Sequence, residues 1–438
     1  MGAGVDYLFI GDDFTGASDT LATLARTGRR VRLFLEPPDP GRIADEGFDA
    51  IGIATEFRSL PAAAVTARIE ALTPVLKALA PRVVHYKVCS TFDSSPETGS
   101  IGAAVAALER DLAPALLAVV GGQPSLGRYC AFGNLFARGA DGEVHRIDRH
   151  PVMRNHPITP MTEADLRVHL ARQGLDPLRL ISRPEIMEGV PRLRERLADL
   201  IRGGERRLLF DACDQTDIET IGAVLGGPRG EARPLLAVGA SSIAEALGGD
   251  LRPGDGDRPA RDERKAGPCL VVAGSRSEVT AAQVEAARGF HRLPIGPRDL
   301  EDATATDRLA ARAAAALART EDVLAHLEPS TDYGVSGAAL SHKLADLVSL
   351  ILDRQAVCAL GIAGGDTSSI VVRRLGFHSL SFEERLDAGV AICRAHSDAT
   401  QRDGMRLMLK GGQVGSEGVF ERFVSATGKR SPAIPAGR

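Results

Sequence analysis

Short apolar runs alternate along the chain with stretches of helical period. Tyr7–Ile10, Val31–Leu35, Ala50–Ala54, Val83–Val88, Leu116–Val120, Leu208–Phe210 and Leu235–Val238 form a first series. Cys269–Ala273, Val323–Leu327, Val357–Ile362 and Leu407–Leu409 form a second. Runs that stay apolar, rather than alternating with polar residues, read as strands covered on both faces. Between them apolar residues recur every three or four positions: Ala17, Leu21 and Leu24 before Gly28; Ile101, Val105 and Leu108; Val279, Ala282 and Ala286; Ile370, Val371 and Leu375 before Gly376. Ser95 followed by Pro96 predicts a helix cap and first helical residue, and Ser277 predicts another cap. Strands alternating with helices predict an α/β protein of two domains, each a mainly parallel sheet flanked by helices.

The two series are separated by "GGDLRPGDGDRPARDERKAG", which is rich in Gly, Pro and charge and has no apolar period. That is a linker composition. The predicted division is a first domain over 1–248, a linker over 249–267 and a second domain over 268–438. The final "SATGKRSPAIPAGR", from Ser425, reads as a frayed tail. A chain of 438 residues exceeds one ordinary core, which agrees with this division. Two α/β domains on one linker predict an interdomain cleft, with one ligand presented from each side.

Composition narrows the classes. Hydrophobic residues make up 44% and charged residues 25%, as in soluble globular proteins. A net charge of −4 argues against bulk attraction to nucleic acid or an anionic membrane. Aromatics are 4% with no Trp, which argues against base stacking on single strands. The six cysteines form no CxxC pair, so they read as reduced thiols of a cytoplasmic protein rather than a zinc or redox motif. No basic leader with an apolar run and no span of about 18 apolar residues is present, so neither secretion nor membrane insertion is expected. Only six of the 53 basic residues are Lys, which makes each Lys informative.

"YLFIGDDFTGASDT" (Tyr7–Thr20) runs from strand into helix and places Asp12 and Asp13 at the join. Ligands of open α/β sheets bind at this edge, and a helix start favours anions. Two carboxylates at its mouth do not suit phosphate. One Asp serves as a helix cap; the second has no such task. The pair suits hydrogen bonds from a polyol's hydroxyls, with the N–H groups of Thr15–Ala17 left for an acid group. "HYKVCSTFDSSPETGS" (His85–Ser100) interrupts an apolar strand with Lys87, a costly residue to bury unpaired. The turn after it offers Ser90, Thr91 and Asp93. It suits a small polar anion held by Lys87; the plainer alternative pairs Lys87 with Asp12, Asp13 or Asp93. "HPVMRNHPITPM" (His150–Met161) presents Arg154, Asn155 and His156 on a proline-fixed loop, and "TEFRSL" offers Arg58 as a lone candidate.

The second half carries a different chemistry. "CLVVAGSRSEVTAAQVE" leads a strand through Ser275 and Ser277 into a helix, with no carboxylate before Glu278, and suits phosphate or a nucleotide. "CALGIAGGDTSSIVVRRLG" sets Gly364, Gly365, Asp366 and Thr367 at a helix start. Asp366 there is placed to accept a hydroxyl proton while the helix start stabilises a transferring phosphoryl group; its plainer role is capping. "LMLKGGQVGSEG" ends a strand at Lys410, followed by Gly411 and Gly412, a pattern suited to phosphate contact. The P-loop spacing and the protein-kinase motif set are both absent. A hydroxyl- and carboxylate-rich half joined to a glycine- and serine-rich half points to ATP-dependent phosphorylation of a sugar acid, with Mg²⁺ bridging the phosphates and no protein metal cluster assigned.

At these residues the sequence resembles the four-carbon acid sugar kinase family. The resemblance rests on "DDFTGASDT", "YKVCSTFDSSPETGSIG", "MRNHPITPM", "GSRSEVT" and "GGDTSS", in the expected order over nearly the whole chain. It implies a sugar-acid-binding domain followed by a nucleotide-binding domain. It implies phosphorylation of threonate, erythronate or 3-oxo-tetronate at the terminal hydroxyl. By the same resemblance Asp12, Asp13, Arg58, Lys87, Ser90, Thr91, Asp93, Asn155 and His156 lie on the substrate side. Ser275, Ser277, Gly364–Thr367 and Gly412 lie on the ATP side, joined there by Lys410 and Gly411 from the motif reading. Size and class lead to the expectation of a homodimer. The rival readings are a two-domain sugar-nucleotide transferase and a cytosolic sugar-acid sensor, both of which lack acid-dependent ATP turnover.

Overall fold

The computed structural model describes residues 5–139, 141–156, 158–226, 233–250, 267–387 and 389–427. The chain divides into two compact units, Met1–Asp257 and Arg258–Arg438. Most of the predicted linker lies outside the described residues.

The first unit contains strands β1 (Tyr7–Gly11), β2 (Val31–Phe34), β3 (Ala50–Ala54), β4 (Val83–Lys87), β5 (Leu116–Val120), β6 (Arg128–Ala131), β7 (Asn134–Arg138), β8 (Val144–Arg146), β9 (Arg179–Ile181), β10 (Arg207–Phe210) and β11 (Leu235–Gly239). Its helices are α1 (Phe14–Arg26), α2 (Pro40–Glu46), α3 (Ala62–Leu79), α4 (Ile101–Leu112), α5 (Leu166–Ala171), α6 (Arg183–Met187), α7 (Val190–Arg202), α8 (Gln215–Leu225) and α9 (Ser242–Leu247). The main sheet runs β2-β3-β1-β4-β11-β5-β10-β9 with parallel pairings. Every residue of β1, β3, β5 and β11 is buried, as continuous apolar runs require, and so is every residue of β4, His85 and Lys87 included. β6, β7 and β8 form a small antiparallel sheet. Buried Asp211 pins its first turn by accepting the N–H groups of Phe132 (2.6 Å) and Gly133 (2.8 Å).

The second unit contains β12 (Cys269–Ala273), β13 (His291–Ile295), β14 (Val323–Leu327), β15 (Ala359–Ala363), β16 (Phe377–Asp387), β17 (Val390–Ser397) and β18 (Arg406–Lys410). Around them lie α10 (Glu278–Ala286), α11 (Ala303–Ala318), α12 (Gly337–Arg354), α13 (Gly365–Arg374) and α14 (Val419–Ala426). The strands order β13-β14-β12-β15-β18-β17-β16. The first five pair in parallel, and β17 runs antiparallel to β18 and β16.

Several expectations are corrected. α4 begins at Ile101 under a Ser100 cap, not at Pro96. Ser95 Oγ instead accepts the N–H groups of Glu97 and Thr98 in a turn, and Thr98 bridges to Pro61, which holds the chain out of the helix. The buried face of α10 is Thr280, Gln283 and Val284, not Val279, Ala282 and Ala286. Two polar residues face inward because they bind loop carbonyls, as described below. Ser425 and Ala426 belong to α14 rather than to a tail; 428–438 lie outside the described residues. β6–β9, β13, β16 and β17 were not expected, since polar residues break their apolar runs.

Candidate substrate and nucleotide sites

In the first unit Gly11 stands opposite Ala54 on β3 and Lys87 on β4, so the turns after β1, β3 and β4 leave one sheet edge. Backbone bonds lock them together: Asp12 N–H donates to Lys87 O (2.9 Å), and Arg58 N–H to Asp12 O (3.0 Å). Arg58 is therefore no lone residue. Its Nε and Nη2 grip the two oxygens of Asp12 at 3.2 and 2.9 Å, and Nη2 also lies 3.0 Å from Asp13 Oδ1. Such a two-pronged pair is a strong, directional contact. Asp13 also caps α1 by accepting the Gly16 N–H at 2.9 Å. The Lys87 ammonium donates to Val88 O (2.7 Å) and presses on the same helix start. A Cβ added at Gly16 would sit 2.4 Å from Lys87 Nζ and 2.5 Å from Asp13 Oδ1, so both side chains would have to shift to admit it.

The charges are tuned by this packing. Burial raises the Asp12 pKa above the usual carboxylate range, against the pull of Arg58. Burial acts the same way on Asp13, but Arg58, Lys87 and the Gly16 N–H outweigh it and hold its pKa low. Burial works to lower the Arg58 pKa, yet Asp12 and Asp13 hold it well above its ordinary value. Both oxygens of Asp12 are thus engaged by Arg58, and Asp13, about a quarter exposed at 27%, is the carboxylate that meets solvent.

The loop after β4 buries Ser90, Thr91 and Asp93, and Thr91 Oγ1 donates to Asp93 Oδ1 at 2.5 Å. Between them buried Phe92 takes a left-handed backbone (φ 53°), which costs about 1 kcal/mol. Three partners fix that loop: Ser94 Oγ bonds Phe92 O (2.9 Å), His169 Nε2 lies 3.1 Å from the same carbonyl, and Gln173 Nε2 donates to Ser94 Oγ (2.8 Å). Burial holds the His169 pKa below its usual value. His169 and Gln173 were not singled out from sequence, and nothing local marks them. Asn155 and His156 use their side chains within their own loop, on Pro151 O (3.0 Å) and on Thr159 N–H (3.1 Å) respectively. Among the described residues none of their side-chain hydrogen bonds reaches the Asp12–Arg58–Lys87 cluster.

The adjoining strand β11 ends in a turn that was also missed. Gly239 stands opposite Lys87, and its carbonyl accepts the Val88 N–H (2.9 Å). Ser241 Oγ then donates to Asp19 Oδ2 and Ser242 Oγ to Gly122 O. The signal was present: "VGASS" is a glycine–serine run after an apolar strand.

In the second unit Ala273, Ala363 and Lys410 stand in register on neighbouring strands. The three small-residue turns therefore adjoin at one edge. Gly274 and Ser275 N–H groups donate to Ala363 O, and Gly364 N–H to Lys410 O. Contact is close: a Cβ at Gly274 would lie 2.4 Å from Thr367 Oγ1, and one at Gly412 would lie 2.2 Å from Ser275 Oγ. Ser277 caps α10, and both Ser277 Oγ (2.5 Å) and Thr280 Oγ1 (2.9 Å) donate to Gly412 O. Gln283 Nε2 donates to Gly415 O at 2.8 Å and to the carbonyls on either side. These are the polar residues on the buried face of α10. Gly365 opens α13, and the cap position belongs to Gly364 at φ 133°, a backbone only glycine adopts readily. Asp366 therefore does not cap; it stands exposed in the first turn. Thr367 is buried, 3.2 Å from Ser341 Oγ. Gly411 follows Lys410, whose ammonium turns inward to Thr280 Oγ1 (3.3 Å) and lies 6.0 Å from the Phe420 ring centre. Among the described residues no cluster of three or more His, Cys, Asp or Glu suits a metal ion.

One unit thus carries a dense set of paired charges and hydroxyls at its sheet edge; the other brings three glycine- and serine-rich turns and the starts of α10 and α13 to its edge. Residues 7–247 match the family model described as a sugar-binding N-terminal domain, and residues 270–420 match a nucleotide-binding C-terminal domain. The chain belongs to the four-carbon acid sugar kinase family. It is 35% identical to a 3-oxo-isoapionate kinase of Paraburkholderia graminis, over 95% of this chain and 94% of that one. It is 31% identical to a 3-oxo-tetronate kinase of Methylobacterium radiotolerans, over 94% and 97%. Among solved structures it resembles a Haemophilus influenzae protein with a TM-score of 0.75 at 26% identity, over 96% of this chain and all of that one. No helix among the described residues is long and apolar enough to cross a membrane.

Proposed function

We propose that the protein transfers the γ-phosphoryl group of ATP to the terminal hydroxyl of a four-carbon 3-oxo sugar acid. The observation that carries this reading is the convergence of Gly274–Ser277, Gly364–Thr367 and Lys410–Gly412 at one sheet edge, in a chain whose other unit ends its central strands in Asp12, Asp13, Arg58 and Lys87. The hydroxyl oxygen bonds to the γ-phosphorus as the bridging P–O bond breaks, ADP leaves, and Asp366 takes the hydroxyl proton. Arg58 and Lys87 supply positive charge for the acid group. Asp13, Ser90, Thr91 and Asp93 supply partners for the hydroxyls and the keto oxygen. Asn155 and His156 join the substrate side by their loop. Mg²⁺ would enter with the nucleotide and supply counter-charge to its phosphates, a role that needs no protein cage. The names of the two relatives share a 3-oxo acid, which supports 3-oxo-tetronate and 3-oxo-isoapionate as the first substrates to try.

The test is ADP release with ATP, Mg²⁺ and each of these acids, beside threonate and erythronate. The expected result is turnover that depends on the added acid and is fastest with a 3-oxo acid. No turnover with any of them removes the substrate assignment; faster turnover of a reduced acid overturns the 3-oxo preference.

A further inference from the structure

Lys410 is 1% exposed at the end of β18, beneath the turn Gly411–Gly415. A buried ammonium is normally held by a carboxylate. Here its contacts are a hydroxyl, Thr280 Oγ1, and the Phe420 ring. The charged groups of the surrounding elements lead elsewhere. On α10, Glu278 is exposed and Glu285 reaches Arg292. On α14, Glu421 takes the Gly289 N–H and Arg422 pairs with Asp387. β15 offers Ala363, apolar and buried, and α13, which packs against β18, offers Asp366, exposed in its first turn. Thr280 Oγ1 in turn donates to Gly412 O, so ammonium, hydroxyl and carbonyl form one chain into the glycine turn.

We propose that Lys410 is a buried positioning residue of the nucleotide site: it fixes the Gly411–Gly415 turn through Thr280 and gains its missing counter-charge from the bound nucleotide phosphates. This rests on the nucleotide reading of the second unit. Burial alone pulls the Lys410 pKa from 10.5 down to about 8. An anion above it favours the charged form and raises that pKa again. The free protein therefore releases this proton as pH rises through about 8 while the complex keeps it, so binding takes up a proton near pH 8–9 and affinity falls as pH rises.

The probe is MgADP, titrated calorimetrically at pH 7 to 9 in two buffers of different ionisation enthalpy. Thiols and an amino terminus also titrate near pH 8–9, so only the uptake that Lys410→Met abolishes is assigned to Lys410. Wild type is expected to take up a fraction of a proton and to weaken several-fold from pH 7 to 9. Lys410→Met is expected to bind at least tenfold more weakly at pH 7 with no proton uptake. It should also melt higher than wild type near pH 7, because it removes a buried charge whose depressed pKa opposes folding below pH 10.5. Lys410→Arg keeps the charge and loses the titration, so its affinity should be flat over this range. Thr280→Val should weaken binding but retain uptake. Wild-type uptake in Lys410→Met, or wild-type affinity in that variant, overturns the inference. Should Lys410→Met fail to fold, a pH-dependent, proton-coupled Lys410→Arg overturns it equally. Failure of wild type to bind MgADP instead removes the nucleotide reading.

Discussion

The two units end their central strands at comparable edges but build opposite surfaces there. In the first unit the edge is held by charge: Arg58 grips Asp12, touches Asp13, and shares the start of α1 with Lys87. In the second it is held by small residues packed against each other, Gly274 on Thr367 and Gly412 on Ser275, with a single buried ammonium beneath. The lesson is that a strand–turn–helix shape does not choose its ligand. Carboxylates at a helix start occupy the place an anion would take, whereas bare N–H groups leave it open.

Four substitutions, one of them a rescue, test how deep this division goes. The largest expected effect is on chemistry. Asp366 is an exposed carboxylate in the first turn of α13, and Asp366→Asn should lower kcat by roughly 1,000-fold, within the usual span for a lost proton acceptor, with nucleotide affinity and melting temperature little changed. A kcat within a few-fold of wild type removes its role as base. Next comes stability. Arg58→Ala strands the Asp12 carboxylate, 4% exposed, and should cost about 3 kcal/mol in denaturant unfolding. Adding Asp12→Asn should recover part of it. If Arg58→Ala unfolds at the wild-type denaturant concentration, the charges of the first unit serve binding alone and the contrast with the second unit weakens. The smallest effect is steric. Gly412→Ala drives a methyl group onto Ser275 Oγ and should weaken MgADP binding roughly tenfold, at about 1 kcal/mol of stability. Unchanged affinity would mean the turn yields freely and is no rigid cradle.

Strand positions were legible where apolar residues dominated a short run. Ala50–Ala54, Leu116–Val120, Cys269–Ala273 and Val323–Leu327 were expected to the residue. β13, with His291 and Arg292 at its start and Pro294 near its end, and the hairpin β16–β17, rich in polar and half-buried positions, carry no such run and were missed. Helix faces failed where polar residues turn inward for a partner distant in sequence, as Thr280 and Gln283 do for the 412–416 turn. Glycine–carboxylate and glycine–serine turns picked out strand ends that the fold brings together at one edge of each unit. The same signature at Gly239–Ser242 was passed over.

The sequence by itself determined the α/β class, the central strands, and the difference in charge between the two sets of turns, because each depends on residues close together in the chain. Only the tertiary structure joined Arg58 to Asp12 across 46 positions, His169 to Phe92 across 77, and Lys410 to Thr280 across 130. Those pairings follow from strand order and register, which bring distant residues to one edge. No local pattern of apolar and polar positions encodes which distant partner completes a buried charge.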